Sequence, residues 1–327
     1  MRIVVAGASG FIGGHLIDEL LRHDVEPIAM VRPGSDAARL RELELEVVEV
    51  DVLDLDAVRP IMRRAEFVIN AVQLTSPGLS GEAYDDVNVG GTTNLLDAAV
   101  EGGVGGFVQL SSTTMYGDAL PHWPVNEGWA MRPPGALEQS RAMAERAART
   151  YRRRIPLILV RPALSFGPRD RGLMRRLLLH FLDQRPLRLV GGGRAPVSLA
   201  YGPDLARAVW GLIDRSADAI DAIFHVKSFD TDWSTVVSEM HDLLHRSAKV
   251  RSVPASVASW SQRAGLWEWI GKPPRDVPQY VTLTGRPHLI DDSRLRTVTG
   301  FEPVFGLRAA LRQTLESMAE ERPDLRI

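Results

Sequence analysis

The residues best spaced for chemistry are Gly7, Gly10 and Gly13, in the run Val4-Val5-Ala6-Gly7-Ala8-Ser9-Gly10-Phe11-Ile12-Gly13. An apolar strand pattern ends there and a helical pattern begins. Gly7 allows a tight turn, Gly10 lets a diphosphate approach the backbone, and Gly13 permits close packing of the helix on the strand. A helix N-terminus offers unpaired N–H groups and the positive end of its dipole to phosphates. The turn, with Ser9, Phe11 and Ile12 in it, is therefore expected to cradle a dinucleotide. The end of the second strand sets the cofactor type. It reads Ala29-Met30-Val31-Arg32-Pro33-Gly34-Ser35 and holds no acid to bind a ribose 2′-hydroxyl. Arg32 can pair with a 2′-phosphate, with Ser35 as a helper. This favours NADP(H), with NAD as the alternative and a solvated loop arginine as the plainer reading of Arg32.

Other chemistries are excluded or weak. The chain has no cysteine, which removes disulfides, thiolate catalysis and cysteine-ligated metals. His241 and His245 lie four apart on a helical pattern, but no third ligand presents itself, so a surface helix face is expected and no metal. With 39 basic and 41 acidic side chains the net charge is -2, too balanced to gather nucleic acid or anionic lipid over the whole surface. No apolar stretch is long enough to span a membrane. Met1 leads straight into a strand pattern, so no signal peptide and a cytoplasmic location are expected. Only Lys227, Lys249 and Lys272 are lysines; the other basic residues are arginines. The arginine run 149–154 ends a helical pattern, where cations suit the dipole.

The elements that must position these residues alternate. Ile3–Ala6, Pro27–Val31, Val47–Val50, Phe67–Asn70, Gly106–Leu110 and Leu157–Arg161 read as strands, with helices near 11–22, 36–43, 54–64, 82–101 and 137–153. Strand-then-helix repetition implies right-handed crossovers and an α/β fold, a Rossmann-type doubly wound parallel sheet. After residue 165 the rhythm loosens, then a helix at 203–215 and a strand at Ala222–Val226 return to it. The expected organisation is a dinucleotide-binding domain over 1–165, with 196–226 returning to it. A smaller substrate-binding lobe would comprise 166–195 and 227–327. Trp233, Trp260, Trp267 and Trp269 fall in that lobe, as core or as the lining of a pocket.

At this point the motifs accumulate. Glu49-Val50-Asp51-Val52-Leu53-Asp54 follows the third strand, Asn88-Val89-Gly90-Gly91-Thr92-Thr93-Asn94-Leu95-Leu96 begins a helix, and Ser111-Ser112-Thr113-Thr114-Met115-Tyr116-Gly117 ends the fifth strand. Arg161-Pro162 to Gly167-Pro168, Asp204-Leu205-Ala206 and Gly300-Phe301-Glu302-Pro303 follow in order. The chain resembles the extended short-chain dehydrogenase/reductases, the NAD-dependent epimerase/dehydratase group, over nearly its whole length. The resemblance implies cofactor contacts at Asp51, Val52, Ala71, Val72, Arg141 and Pro162 besides the glycine turn and Arg32. It implies a small-molecule substrate, no nucleic-acid or membrane partner, and a possible homodimer through helices 82–101 and 137–153.

The resemblance also implies chemistry by a tyrosine, a lysine four residues later, and a Ser/Thr on the adjacent strand end. Ser112 takes the Ser/Thr position. Ser140 and Glu145 fix the helix register, which places Leu137 at the tyrosine position and Arg141 at the lysine position. Leucine cannot transfer a proton, and arginine keeps its charge near neutral pH but cannot relay protons. Candidate replacements are Tyr116, His122 and Glu127. Glu138 is adjacent to the missing tyrosine but turned about 100° away on the helix. Ala163 and Leu164 stand where members acting on sugar nucleotides often carry an asparagine, while Arg169, Arg171, Arg175 and Arg176 could meet a diphosphate. Three readings stay open. One is NADP(H)-dependent carbonyl reduction or a related redox step on a sugar-nucleotide or polyketide-like metabolite. Another is a non-redox lyase, cyclase or isomerase, and the third is a silent NADP(H)-binding protein.

Overall fold

The computed structural model describes residues 1–76, 78–117, 123–172, 175, 177, 187–245, 250–254 and 285–321. Its centre is a seven-stranded parallel sheet. β1 (Arg2–Ala6), β2 (Glu26–Val31), β3 (Glu46–Glu49), β4 (Phe67–Asn70), β5 (Gly106–Leu110), β6 (Leu157–Pro162) and β10 (Ile223–Val226) lie in the order β10-β6-β5-β4-β1-β2-β3. Strand order therefore reverses between β1 and β4, the place where open α/β sheets leave a crevice at their carboxyl ends.

Alternation along the strands builds the two faces. On β1, Ile3 and Val5 join one apolar layer while Val4 and Ala6 join the other. The first layer is closed by α1 (Phe11–Leu20) and by α7 (Gly202–Asp214), through Leu16, Ile17, Leu20, Leu205, Val209 and Leu212. The second is closed by α3 (Leu55–Met62) and α5 (Gly91–Gly102), through Val58, Met62, Leu95, Leu96 and Ala99. Strands buried on both sides explain why the sequence shows near-continuous apolar runs. The short α2 (Ala38–Glu42) links β2 to β3.

The helix expected over 82–101 is three pieces. α4 (Gly81–Asp85) and α5 flank a π turn at Asp86–Gly90. Asn88 in that turn is buried; its Oδ1 accepts from Leu74 N–H at 2.7 Å and its Nδ2 donates to Ser140 Oγ at 2.8 Å on α6 (Ala136–Thr150). The extra residue of the π turn lets this one side chain tie the segment after β4 to α6.

The return to the sheet differs from the sequence reading. β9 (Pro196–Tyr201) pairs with β7 (Leu164–Phe166) and β11 (Phe229–Asp232) in a small sheet of its own, so only α7 and β10 rejoin the central sheet. β8 (Leu187–Val190) pairs with β12 (Val250–Val253). α8 (Trp233–Leu244) and α10 (Leu307–Glu321) share a second core with these strands, built from Phe166, Leu199, Tyr201, Trp233, Val236 and Leu311. By contrast, α9 (Ser293–Thr299) packs Leu295 into the core of the main sheet. Residues 227–327 thus divide between the two cores. Trp233 is core, whereas Trp260, Trp267 and Trp269 lie outside the described residues.

Candidate active site at the carboxyl end of the sheet

The glycine turn leaves β1 at the strand-order reversal. Gly7 takes φ +82°, and a Cβ there would meet the Ala71 backbone at 3.0 Å, so the turn abuts the end of β4. A Cβ on Gly13 would lie 2.1 Å from the Gly7 carbonyl oxygen. Gly10 is the N-cap of α1 and brings no side chain to its first N–H groups, and no acid occupies the first turn. These uncapped donors, walled by backbone rather than side chains, fit a diphosphate. Ser9, Phe11 and Ile12 are part-exposed around them.

Arg32 follows β2 and is exposed, and its guanidinium has no partner among the described residues. Its carbonyl accepts from Ser35 N–H at 3.0 Å, closing the turn. Asp51 Oδ1 accepts from Leu53 N–H, and Asn94 Nδ2 donates to the Val52 carbonyl, both at 3.0 Å. An open groove runs along Asp51, Leu53, Asp54 and Arg59. Ala71 and Val72 continue β4, and Pro162 ends β6. These positions line the carboxyl edge of the sheet and could hold a dinucleotide along it.

Ser112 and Arg141 come together through Thr114. Ser112 caps the short 3-10 turn Thr113–Tyr116 by accepting from Thr114 N–H. Its Oγ lies 3.0 Å from Thr114 Oγ1, which accepts from Arg141 Nη1 at 3.1 Å. Arg141 Nε donates to Gln73 Oε1 at 3.1 Å, and Gln73 Nε2 donates to the Leu110 carbonyl. No carboxylate pairs with this half-buried guanidinium among the described residues; burial lowers its pKa from the ordinary arginine value. Leu137, one turn earlier on α6, is buried.

Tyr116, one of the candidate replacement acids, is held in a buried network. Its ring is buried, and its hydroxyl is held between Arg161 Nη1 and His225 Nε2. His225 Nδ1 faces the Asp291 carbonyl, which only accepts, so Nδ1 carries the proton and Nε2 accepts from Tyr116. Burial pushes the Tyr116 hydroxyl up to about 12 and the His225 imidazole down to about 3. Arg161 makes a two-pronged ion pair with Glu145, both fully buried. Glu127 is also committed, its Oε1 accepting from the backbone N–H of His225 at 3.1 Å. His122 lies outside the described residues.

The arginines proposed for a diphosphate separate. Arg169 donates to His15 Nδ1 at 3.1 Å and to Asp18 at 2.6 Å on α1. Arg175 donates its backbone N–H to Asp170, Arg171 is exposed, and Arg176 lies outside the described residues. His241 is on α8, and His245 caps it in the left-handed region. Among the described residues no group of three His, Asp or Glu could hold a metal ion. No described helix is long and apolar enough to cross a membrane.

Sequence reasoning missed His288. It sits on a segment running back through the seam between the two cores, and its Nε2 lies 3.1 Å from Thr113 Oγ1, beside Ser112. No motif or period marks a lone histidine 175 residues from its partner.

Residues 3–226 match the NAD dependent epimerase/dehydratase family. An Escherichia coli K12 protein, YbjS, is 23% identical over 327 residues, covering 96% of each chain. A Stigmatella aurantiaca 4-hydroxy-2-methyl-3-oxo-4-farnesyl-3,4-dihydroquinoline-1-oxide ketoreductase is 22% identical, over 99% of this chain and 97% of its own. A UDP-glucuronic acid 4-epimerase from Bacillus cereus, solved with UDP-glucuronic acid and NAD, shares the fold, with a TM-score of 0.81, 19% identity and coverage of 98% of this chain and all of its own. With the family matched over well more than half of its length and the fold shared, the chain belongs to the NAD dependent epimerase/dehydratase family.

Proposed function

We propose that the chain binds NADP(H) and carries out a redox step, carbonyl reduction or its reverse, on a small metabolite of the sugar-nucleotide or polyketide-like kind. The observation that carries this reading is the uncapped, side-chain-free N-terminus of α1 at the strand-order reversal. Gly7, Ser9, Gly10, Phe11, Ile12 and Gly13 would hold the diphosphate, with Asp51 and Val52 toward the adenine. Ala71, Val72 and Pro162 would line the remainder of the cleft. The unpaired, exposed Arg32 is suited to a 2′-phosphate. The bound cofactor supplies or accepts hydride. Ser112 would polarise the substrate oxygen, and Arg141, with no described carboxylate in direct ion-pair contact, would hold ribose hydroxyls and favour developing negative charge. Tyr116 would position the strand end through Arg161 and His225. The full-length likeness to a ketoreductase supports carbonyl chemistry, and the likeness to a sugar-nucleotide epimerase supports the dinucleotide. The exposed face of α5 and α6, where Met143 is 42% exposed, is the face offered to a homodimer partner.

Calorimetric titration of cofactor-stripped protein with NADPH and NADH tests this. NADPH should bind more tightly. Arg32→Ala should weaken NADPH by about ten- to a hundredfold, the worth of a charged hydrogen bond, and leave NADH unchanged. Equal affinities in wild type and variant would reassign the cofactor to NAD. Leu137 favours a second reading, a lyase, cyclase or isomerase on the same fold, because a buried leucine cannot carry the proton. Deuterium passing from labelled NADPH into product would exclude it.

A further inference from the structure

If a redox step occurs here, the proton on the substrate oxygen needs a carrier other than residue 137. Tyr116 and Glu127 are tied into the buried network, and Arg141 holds its proton. The segment carrying His288 is fixed on both sides. His288 N–H donates to the Pro196 carbonyl and its carbonyl accepts from Ser198 N–H, both at 2.8 Å. Leu289 O and Asp291 N–H bond to Val125, and the Asp291 carbonyl is held by His225. This framing brings the imidazole to the strand end that bears Ser112. One ring nitrogen, Nε2, is anchored on Thr113 Oγ1, while Nδ1 has no partner among the described residues. An imidazole anchored at one nitrogen and unpartnered at the other is the arrangement a general acid–base needs.

We propose that His288 exchanges the proton with the substrate oxygen beside Ser112, from the returning segment and in place of a tyrosine at residue 137. The proposal rests on the redox reading above. In the oxidising direction the carbinol O–H bond breaks and its proton passes to Nδ1. The carbon gives hydride to the oxidised nicotinamide, the C–O bond becomes a carbonyl, and the imidazolium returns its proton to water. Reduction runs the same steps backwards. Burial lowers the His288 imidazole to about 4, so it waits uncharged at neutral pH, ready to accept.

The test uses the full chain with histidine ring nitrogens isotopically labelled, and NADP+ as the probe. The His288 ring signals are assigned through their contact with Thr113. Calorimetry decides first, since no NADP+ binding removes the redox reading and this proposal with it. With NADP+ bound, the His288 signals are expected to shift and the His241 signals, on α8, to stay. Unmoved His288 signals in the loaded protein overturn this proposal alone. On any carbonyl compound that the wild type reduces, H288Q should lower kcat by about 100-fold or more at unchanged NADPH affinity. Undiminished kcat in H288Q also overturns it, and leaves the redox reading standing.

Discussion

Gly13 leaves no room for a methyl group. Its missing Cβ would sit 2.1 Å from the Gly7 carbonyl oxygen and 2.8 Å from the Gly7 carbonyl carbon, which are backbone and cannot swing aside. Gly13→Ala must therefore push α1 away from the turn. The expected cost is about 1–3 kcal/mol, typical of overpacking, with loss of most NADPH affinity because the N–H donors move with the helix. Thermal unfolding and calorimetry on the same preparation read both effects. A variant with wild-type melting and wild-type affinity would mean that the turn is slack and the cradle reading wrong. At this scale the sequence is most eloquent where one backbone segment sets the geometry, as in the turn. It is silent where partners are far apart in the chain. Tyr116 could be named as a replacement acid because the residues that hold its hydroxyl, Arg161 and His225, are 45 and 109 positions away.

Buried charge decides how β6 and α6 are held. Arg161 and Glu145 are 1% and 0% exposed and face each other with two hydrogen bonds. Replacing Arg161 by Met strands the Glu145 carboxylate in the core, which should cost about 3–5 kcal/mol. Replacing both with apolar residues of similar volume should recover most of that loss. Urea denaturation of the two variants checks the cycle, and a double variant as unstable as the single one would show that the pair contributes beyond its own desolvation. Element types were legible in the first 165 residues because doubly buried strands give continuous apolar runs and their helices give a different period. Two features were not. The π turn at Asp86–Gly90 preserves a helical pattern while shifting its register, so 82–101 read as one helix. β9 carries an apolar run as β6 does, and only its partners β7 and β11 assign it to the small sheet.

Across the whole molecule, three histidines stitch the main sheet to segments outside it. His15 on α1 donates from Nε2 to the Pro168 carbonyl, His225 on β10 holds the Asp291 carbonyl, and His288 reaches back to Thr113. Burial holds His15 and His225 at about 3, well below the ordinary histidine value, because an imidazolium there would lose its hydration. The sign of the pH effect follows. Above pH 6.5 both forms of the chain leave these rings neutral, and pH has no leverage through them. As pH falls below 6.5 the unfolded chain binds protons that the native chain refuses, so stability falls and continues to fall until the native rings titrate near pH 3. Each of these two, and His288, which burial lowers to about 4, contributes up to about 1.4 kcal/mol per pH unit in its window. Folding free energy should therefore drop by about 4 kcal/mol between pH 6 and pH 5, above the range in which ordinary carboxylates titrate. His225→Gln should be less stable at neutral pH yet lose stability less steeply in this window, since one of the three rings is gone. Urea midpoints at pH 7.5, 6 and 5 for both proteins measure the slope directly. Parallel slopes would place the acid sensitivity elsewhere. A shallower slope in the variant would identify the seam on which the candidate site is assembled as the part of the molecule that acid opens.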